Sequence, residues 1–116
     1  MTRMISLTEI RELALSLPGA EEVKHWGKSS FRMNNKIFAV IQVDRKTLTV
    51  KTTKEEREFS IQMAPETYSI PDSFSNLNYM HINLETAKDA EVKNCIRNAW
   101  GCVAPKKVAK AYFESR

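Results

Sequence analysis

The chain has 116 residues, 42% of them hydrophobic, with two tryptophans, three glycines and four prolines. That length fits one domain spanning 1–116, able to bury roughly two-thirds of its unfolded surface, and the composition excludes a disordered or low-complexity segment. Eighteen Lys and Arg against fourteen Asp and Glu give a net charge of +4, which permits an anionic partner without demanding one.

In chain order, Ser6-Leu7-Thr8-Glu9 reads as a capping box in which hydroxyl and carboxylate satisfy each other's backbone N–H groups. Leu7, Ile10, Leu13, Ala14 and Leu17 follow at helical spacing, and Leu17-Pro18-Gly19 ends that helix. Residues 29–33 form a short strand with Phe31 and Met33 on one face. Asn34-Asn35 turns the chain, since Asn tolerates positive φ. Residues 37–43 are the most strand-like stretch, Asp44-Arg45-Lys46 turns again, and residues 47–52 alternate. Thr53-Lys54-Glu55-Glu56 is a second capping box, opening a helix to about Met63 with Phe59 and Met63 as its apolar stripe. Residues 67–70 make a short strand and residues 71–78 a loop. Residues 79–84 alternate, with Met80, Ile82 and Leu84 on one side and Tyr79, His81 and Asn83 on the other. Thr86-Ala87-Lys88-Asp89 is a third capping box, ahead of a helix carrying Val92, Ile96, Ala99 and Val103. Gly101 would loosen its last turn. Pro105 starts a final helix with Val108, Ala111 and Tyr112 as its apolar face.

Runs of adjacent strands, rather than strict strand–helix alternation, predict an α+β fold: an antiparallel β-sheet packed against helices. The longest apolar run, residues 37–43, is interrupted by Gln42 and falls far short of the roughly 20 residues of a membrane span. Residues 1–6 lack the apolar stretch of a secretory signal. The expectation is a cytoplasmic monomer with no membrane partner. The two cysteines, Cys95 and Cys102, lie seven residues apart on one predicted helix. A rise of about 1.5 Å per residue separates their Cα atoms by about 10 Å, beyond the about 7 Å a disulfide tolerates. Both read as free thiols.

Catalytic signatures are missing. There is no Gly-rich phosphate loop, no H-E-x-x-H, no C-x-x-C and no calcium-loop pattern. A metal would need His25, His81 and the cysteines from separate segments, without any spacing signal. Cys102 with a distant histidine is the one conceivable nucleophile pair. Glu55-Glu56 suits the positive end of a helix dipole without invoking acid–base work. The expectation is a non-enzymatic protein with no cofactor.

Two leads remain. Positive charge is segregated: residues 91–116 carry a local +4, residues 31–60 a local +3, and residues 61–90 a local −3. Arg32, Lys51, Lys106, Lys107 and Lys110 are therefore candidates for holding the phosphates of double-stranded DNA. Lysines also protect strand edges and solvate terminal helices, so each has an ordinary role as well. The second lead is His25-Trp26-Gly27-Lys28, a turn that could wall a ligand pocket or protein-partner site together with Tyr79, His81 and the 71–78 loop. Trp26 also suits a loop anchor, and Trp100 reads as core.

Taken together, the order of motifs resembles the MmcQ/YjbR family. The likeness rests on Leu17-Pro18-Gly19-Ala20-Glu21-Glu22, on Trp26-Gly27, and on a hairpin from Ser30-Phe31-Arg32-Met33 to Lys36-Ile37-Phe38-Ala39. It continues through Leu48-x-Val50-Lys51, the Pro71 loop before residues 79–84, and Val103-Ala104-Pro105-Lys106-Lys107. It covers nearly the whole chain. The family often places a Trp in the strand after the Pro loop, where this chain has Tyr79, Met80 and His81. The resemblance implies a CyaY-like fold and, through its likeness to double-wing domains, DNA binding.

Overall fold

A computed structural model describes residues 4–25 (His25 by its backbone), 27–72 and 77–115. The order of elements is α1 (Leu7–Ser16), β1 (Ala20–His25), β2 (Lys28–Met33), β3 (Lys36–Ile41), β4 (Thr47–Lys51), α2 (Lys54–Met63), β5 (Tyr68–Ser69), β6 (Tyr79–Asn83), α3 (Asp89–Val103) and α4 (Lys106–Glu114). All strands pair antiparallel in one sheet of order β1-β2-β3-β4-β6-β5. The α+β architecture expected from the strand runs is the one observed.

The first capping box forms in full. Ser6 Oγ accepts the Glu9 N–H at 3.0 Å, and Glu9 Oε1 accepts the Ser6 N–H at 3.3 Å. Ile10 and Ala14 bury its inward face. Gly19, at φ +73, turns the chain out of α1, and a side chain there would collide with the Met33 sulfur. At the β2–β3 turn, Asn34 and Asn35 adopt positive φ of 52° and 64°, as their side chains allow.

Strand register decides which side chains meet the helices. Phe31 pairs with Ala39, but Arg32 pairs with Ile37, so Phe38 is an extra residue on β3. This bulge lets Phe38 and Ala39 both enter the core. Leu48, Val50, Met80, Ile82 and Tyr68 face the same way by pairing. Against them α3 packs Val92, Ile96, Ala99, Trp100 and Val103. Trp100 is fully buried, and its indole N–H donates to the Pro18 carbonyl at 2.9 Å. Tyr112 meets its ring edge-on at 5.1 Å and Phe113 lies tilted at 6.1 Å, which docks α4 onto α3. Gly101 leaves room for the Phe113 ring, which a Cβ there would crowd at 3.1 Å. Close helix packing, rather than a loosened last turn, explains this glycine.

Four expectations need correction. Residues 20–25 form a strand that the sequence pattern did not announce. Glu21, Glu22 and Lys24 hide it, because an edge strand half covered by α1 carries charge where an interior strand would be apolar. Phe59 and Met63 do not face the core; they are 64% and 69% exposed. The inward face of α2 is offset to Arg57, Ile61 and Ala64, with Arg57 buried. Thr86 does not cap α3, whose N-cap is Lys88 without a side-chain bond. Its hydroxyl instead meets Thr67 Oγ1 at 2.8 Å, joining the segments before β5 and after β6. Finally, Pro105 precedes α4 as its cap residue rather than starting it. In the second box Thr53 accepts the Glu56 N–H at 3.1 Å, while the Glu56 carboxylate takes the Thr52 hydroxyl at 3.5 Å.

No helix among the described residues is long and apolar enough to cross a membrane.

Candidate nucleic-acid interface

All four helices gather on one side of the sheet: α3 on β3 and β4, α1 on β1 and α3, α4 on the Trp100 end of α3. α2 borders the same side, where Val50 and Met80 floor a groove of about 400 Å³ between it and α3. The opposite face has no helix over it among the described residues. Register assigns its strand positions: Glu21 and Val23 on β1, Lys28, Ser30 and Arg32 on β2, Ile37 and Val40 on β3, Thr47, Thr49 and Lys51 on β4, Tyr79, His81 and Asn83 on β6. By register Lys28, Arg32 and Lys51 lie on this side, Lys51 at its rim where it also lines the groove beside α2, and Glu21 is the one strand carboxylate among them.

The middle of this face is rigidly tied. Tyr79 extends across β4, its hydroxyl donating to the Ile37 carbonyl at 3.2 Å, and Lys51 Nζ stands 5.0 Å from the centre of its ring. Burial raises the Tyr79 pKa, so the phenol keeps its donor proton. Thr49, only 4% exposed, receives the Gln42 Nε2–H at 2.8 Å and lies 2.7 Å from His81 Nδ1. The Thr49 hydroxyl, with a second lone pair and its own proton still to place, shares one hydrogen bond with Nδ1 whose donor is set by the imidazole tautomer. Burial holds the His81 pKa below its usual value, Asp44 and Asp72 pull it up, and Lys28 pushes it further down. The Arg32 Nε–H donates to Ser30 Oγ at 3.2 Å, and Ser30 Oγ donates to the Val23 carbonyl at 3.1 Å. Arg32 therefore projects from a fixed base.

The structure brings together Arg32, Lys51, Tyr79 and His81. It does not bring Lys106, Lys107 and Lys110 to them. Those lie on α4, in the helix layer, where Lys110 pairs with Glu114 at 4.0 Å. The α4 lysines and the strand cations Lys28, Arg32 and Lys51 thus lie on opposite sides of the sheet. Trp26 and the His25 side chain lie outside the described residues, as do positions 73–76 of the loop. Sequence reading missed Lys28 as a member of the face. Its signal was the two-residue spacing of Lys28, Ser30 and Arg32, which becomes informative only once β1 is known to pair with β2.

The sulfur chemistry lies elsewhere. Both cysteines are free and on α3. Burial pushes the Cys95 thiol up to about 11 and also raises that of Cys102, a rise that Lys51 opposes. The sheet separates Cys102 from His81. Among the described residues no three His, Cys, Asp or Glu side chains gather as a metal site.

A six-stranded antiparallel sheet with its helices on one face makes this an α+β domain. The YjbR family model matches residues 15–102, and the chain belongs to that family. Among solved structures it is similar to the Deinococcus radiodurans protein DR2400, a DUF419-domain protein, with a TM-score of 0.79 at 17% identity over 90% of this chain and 82% of that one. That likeness speaks to the fold alone. No curated protein matches.

Proposed function

We propose that this domain is a non-catalytic module that binds double-stranded DNA through the helix-free face of its sheet. The observation that carries this reading is the alignment of Lys28, Arg32 and Lys51 on one uncovered face. Phosphates are held by such side chains without reading sequence, and Ile37 and Val40, half-buried between them, add apolar contact. The thiols of Cys95 and Cys102, held protonated and apart from His81, support a non-catalytic role.

The α4 lysines form a separate patch in this reading. Fluorescence anisotropy on a labelled duplex across a salt series tests it. Affinity should fall with salt, and a Lys51→Ala, Arg32→Ala double variant should weaken binding and flatten the salt slope by about one unit per lost contact. The triple Ala variant at Lys106, Lys107 and Lys110 should bind as the parent does. Absence of binding at low salt, or binding indifferent to salt, would sink the reading.

A further inference from the structure

A second basic site lies on the helix side of the sheet, where α1 crosses the β1–β2 hairpin and the β3–β4 turn. A cleft of about 200 Å³ there is lined by Arg11 and Thr8 of α1, Lys24 of β1, Ser29 of β2 and Arg45 of the turn. Lys24 and Ser29 pair across β1–β2 and Ser29 pairs with Ile41, a core residue, so these positions face away from the surface proposed for DNA. Three cations from three segments converge on a cleft whose one carboxylate is Glu22. That carboxylate is bound by Arg11 Nε at 2.7 Å, which leaves the Nη groups of Arg11 as further donors. Lys24 and Arg45 form no ion pair among the described residues.

Arg45 is also held in an unusual backbone state. Its φ is 60°, a region where Gly or Asn would be less strained. The turn is fixed around it: the Arg45 N–H donates to the Gln42 carbonyl at 3.0 Å, and Asp44 Oδ1 accepts the Lys46 and Thr47 N–H groups at 2.8 and 2.9 Å. Asp44 is thereby committed to the turn. Glu22 offsets one of the three cations, and the positive charge left over would be matched by a bound anion.

We propose that this cleft binds the phosphate group of a small phosphorylated ligand. The guanidinium forks of Arg11 and Arg45 suit tetrahedral oxygens, Lys24 supplies a point charge, and the Thr8 and Ser29 hydroxyls supply neutral donors. The cleft's volume of about 200 Å³ has room for a phosphate or diphosphate terminus, and its place on the helix side sets it apart from the surface proposed for DNA.

Inorganic pyrophosphate is the probe, followed by amide chemical shifts of the intact chain. Saturable shifts should centre on Thr8, Lys24, Ser29 and Arg45. Arg45→Gly suits the positive φ and keeps the turn, yet should weaken pyrophosphate binding by about tenfold or more, the size of one charge-assisted hydrogen bond. Lys24→Gln should do likewise, while Arg32→Ala and Lys51→Ala should leave pyrophosphate affinity unchanged. No saturable shift in the parent protein, or full affinity in Arg45→Gly, would overturn the site. Competition between pyrophosphate and a DNA duplex would make the cleft part of a nucleic-acid surface and overturn its assignment to a small ligand.

Discussion

His81 shows how one side chain on the helix-free face answers to its surroundings. Its Nδ1 shares a hydrogen bond with the Thr49 hydroxyl, and burial depresses its pKa below the usual 6.5. In the window between that depressed value and 6.5 the unfolded chain binds more protons than the folded one. Stability is therefore fully present above about pH 6.5 and is lost as pH falls through the folded value. Thermal midpoints measured from pH 8 down to pH 5 should decline across the lower part of that range, and His81→Gln should flatten the decline. A midpoint that rises on acidification would contradict the arrangement. The alternation of Tyr79, His81 and Asn83 was legible in the sequence. The Thr49 and Gln42 partners were not, because they come from strands whose register only folding sets.

Among the elements, α2 departs furthest from its sequence pattern. Its most hydrophobic residues, Phe59 and Met63, point outward, while Arg57 goes in. The guanidinium of Arg57 donates from Nη1 to the carbonyls of Leu77 at 2.8 Å and Tyr79 at 3.1 Å, which joins α2 to the start of β6. Apolar spacing could not reveal this, since a buried arginine is recognised by the carbonyls it meets and those lie twenty residues on in sequence. Arg57→Ala should cost about 1.5–3 kcal/mol in urea denaturation, because it strands buried acceptors. Phe59→Ser should stay within about 0.5 kcal/mol of the parent. Equal losses in the two variants would mean that α2 docks differently. The helices α1 and α3 and the strands β2 to β4 and β6 were readable, because core-facing residues there recur at the period of their element, whereas on α4 Ala109 packs with Val108 and Tyr112 and the expected Ala111 is exposed. β1 escaped since charge at a sheet edge erases that period.

Across the whole molecule, the sheet divides two layers, and Trp100 ties three helices of the helix layer together. It packs from α3 against Tyr112 and Phe113 of α4 and bonds the carbonyl of Pro18, which follows α1. Trp100→Ala should therefore lose about 3–5 kcal/mol, measured by chemical denaturation. That is a large share of the about 5–15 kcal/mol that holds a domain of this kind. A loss near 1 kcal/mol would show that α4 contributes little. The candidate site was half legible at this scale. Arg32 and Lys51 could be named from sequence as basic strand residues. That they share a face with Tyr79, and that the α4 lysines do not, depends on which side of the sheet each helix chooses, and local charge counts carry no such information.

The charge that concealed β1 has a further meaning for how the protein behaves at high concentration. A free strand edge is a template on which another chain can extend the sheet, the first step of aggregation. One edge here is β1, where Glu21, Glu22 and Lys24 crowd six residues, and the other is β5, only two residues long. An incoming strand would meet charges to desolvate at one end and too few backbone groups at the other. The sheet thus carries its own guards against endless growth, and its width stays at six strands.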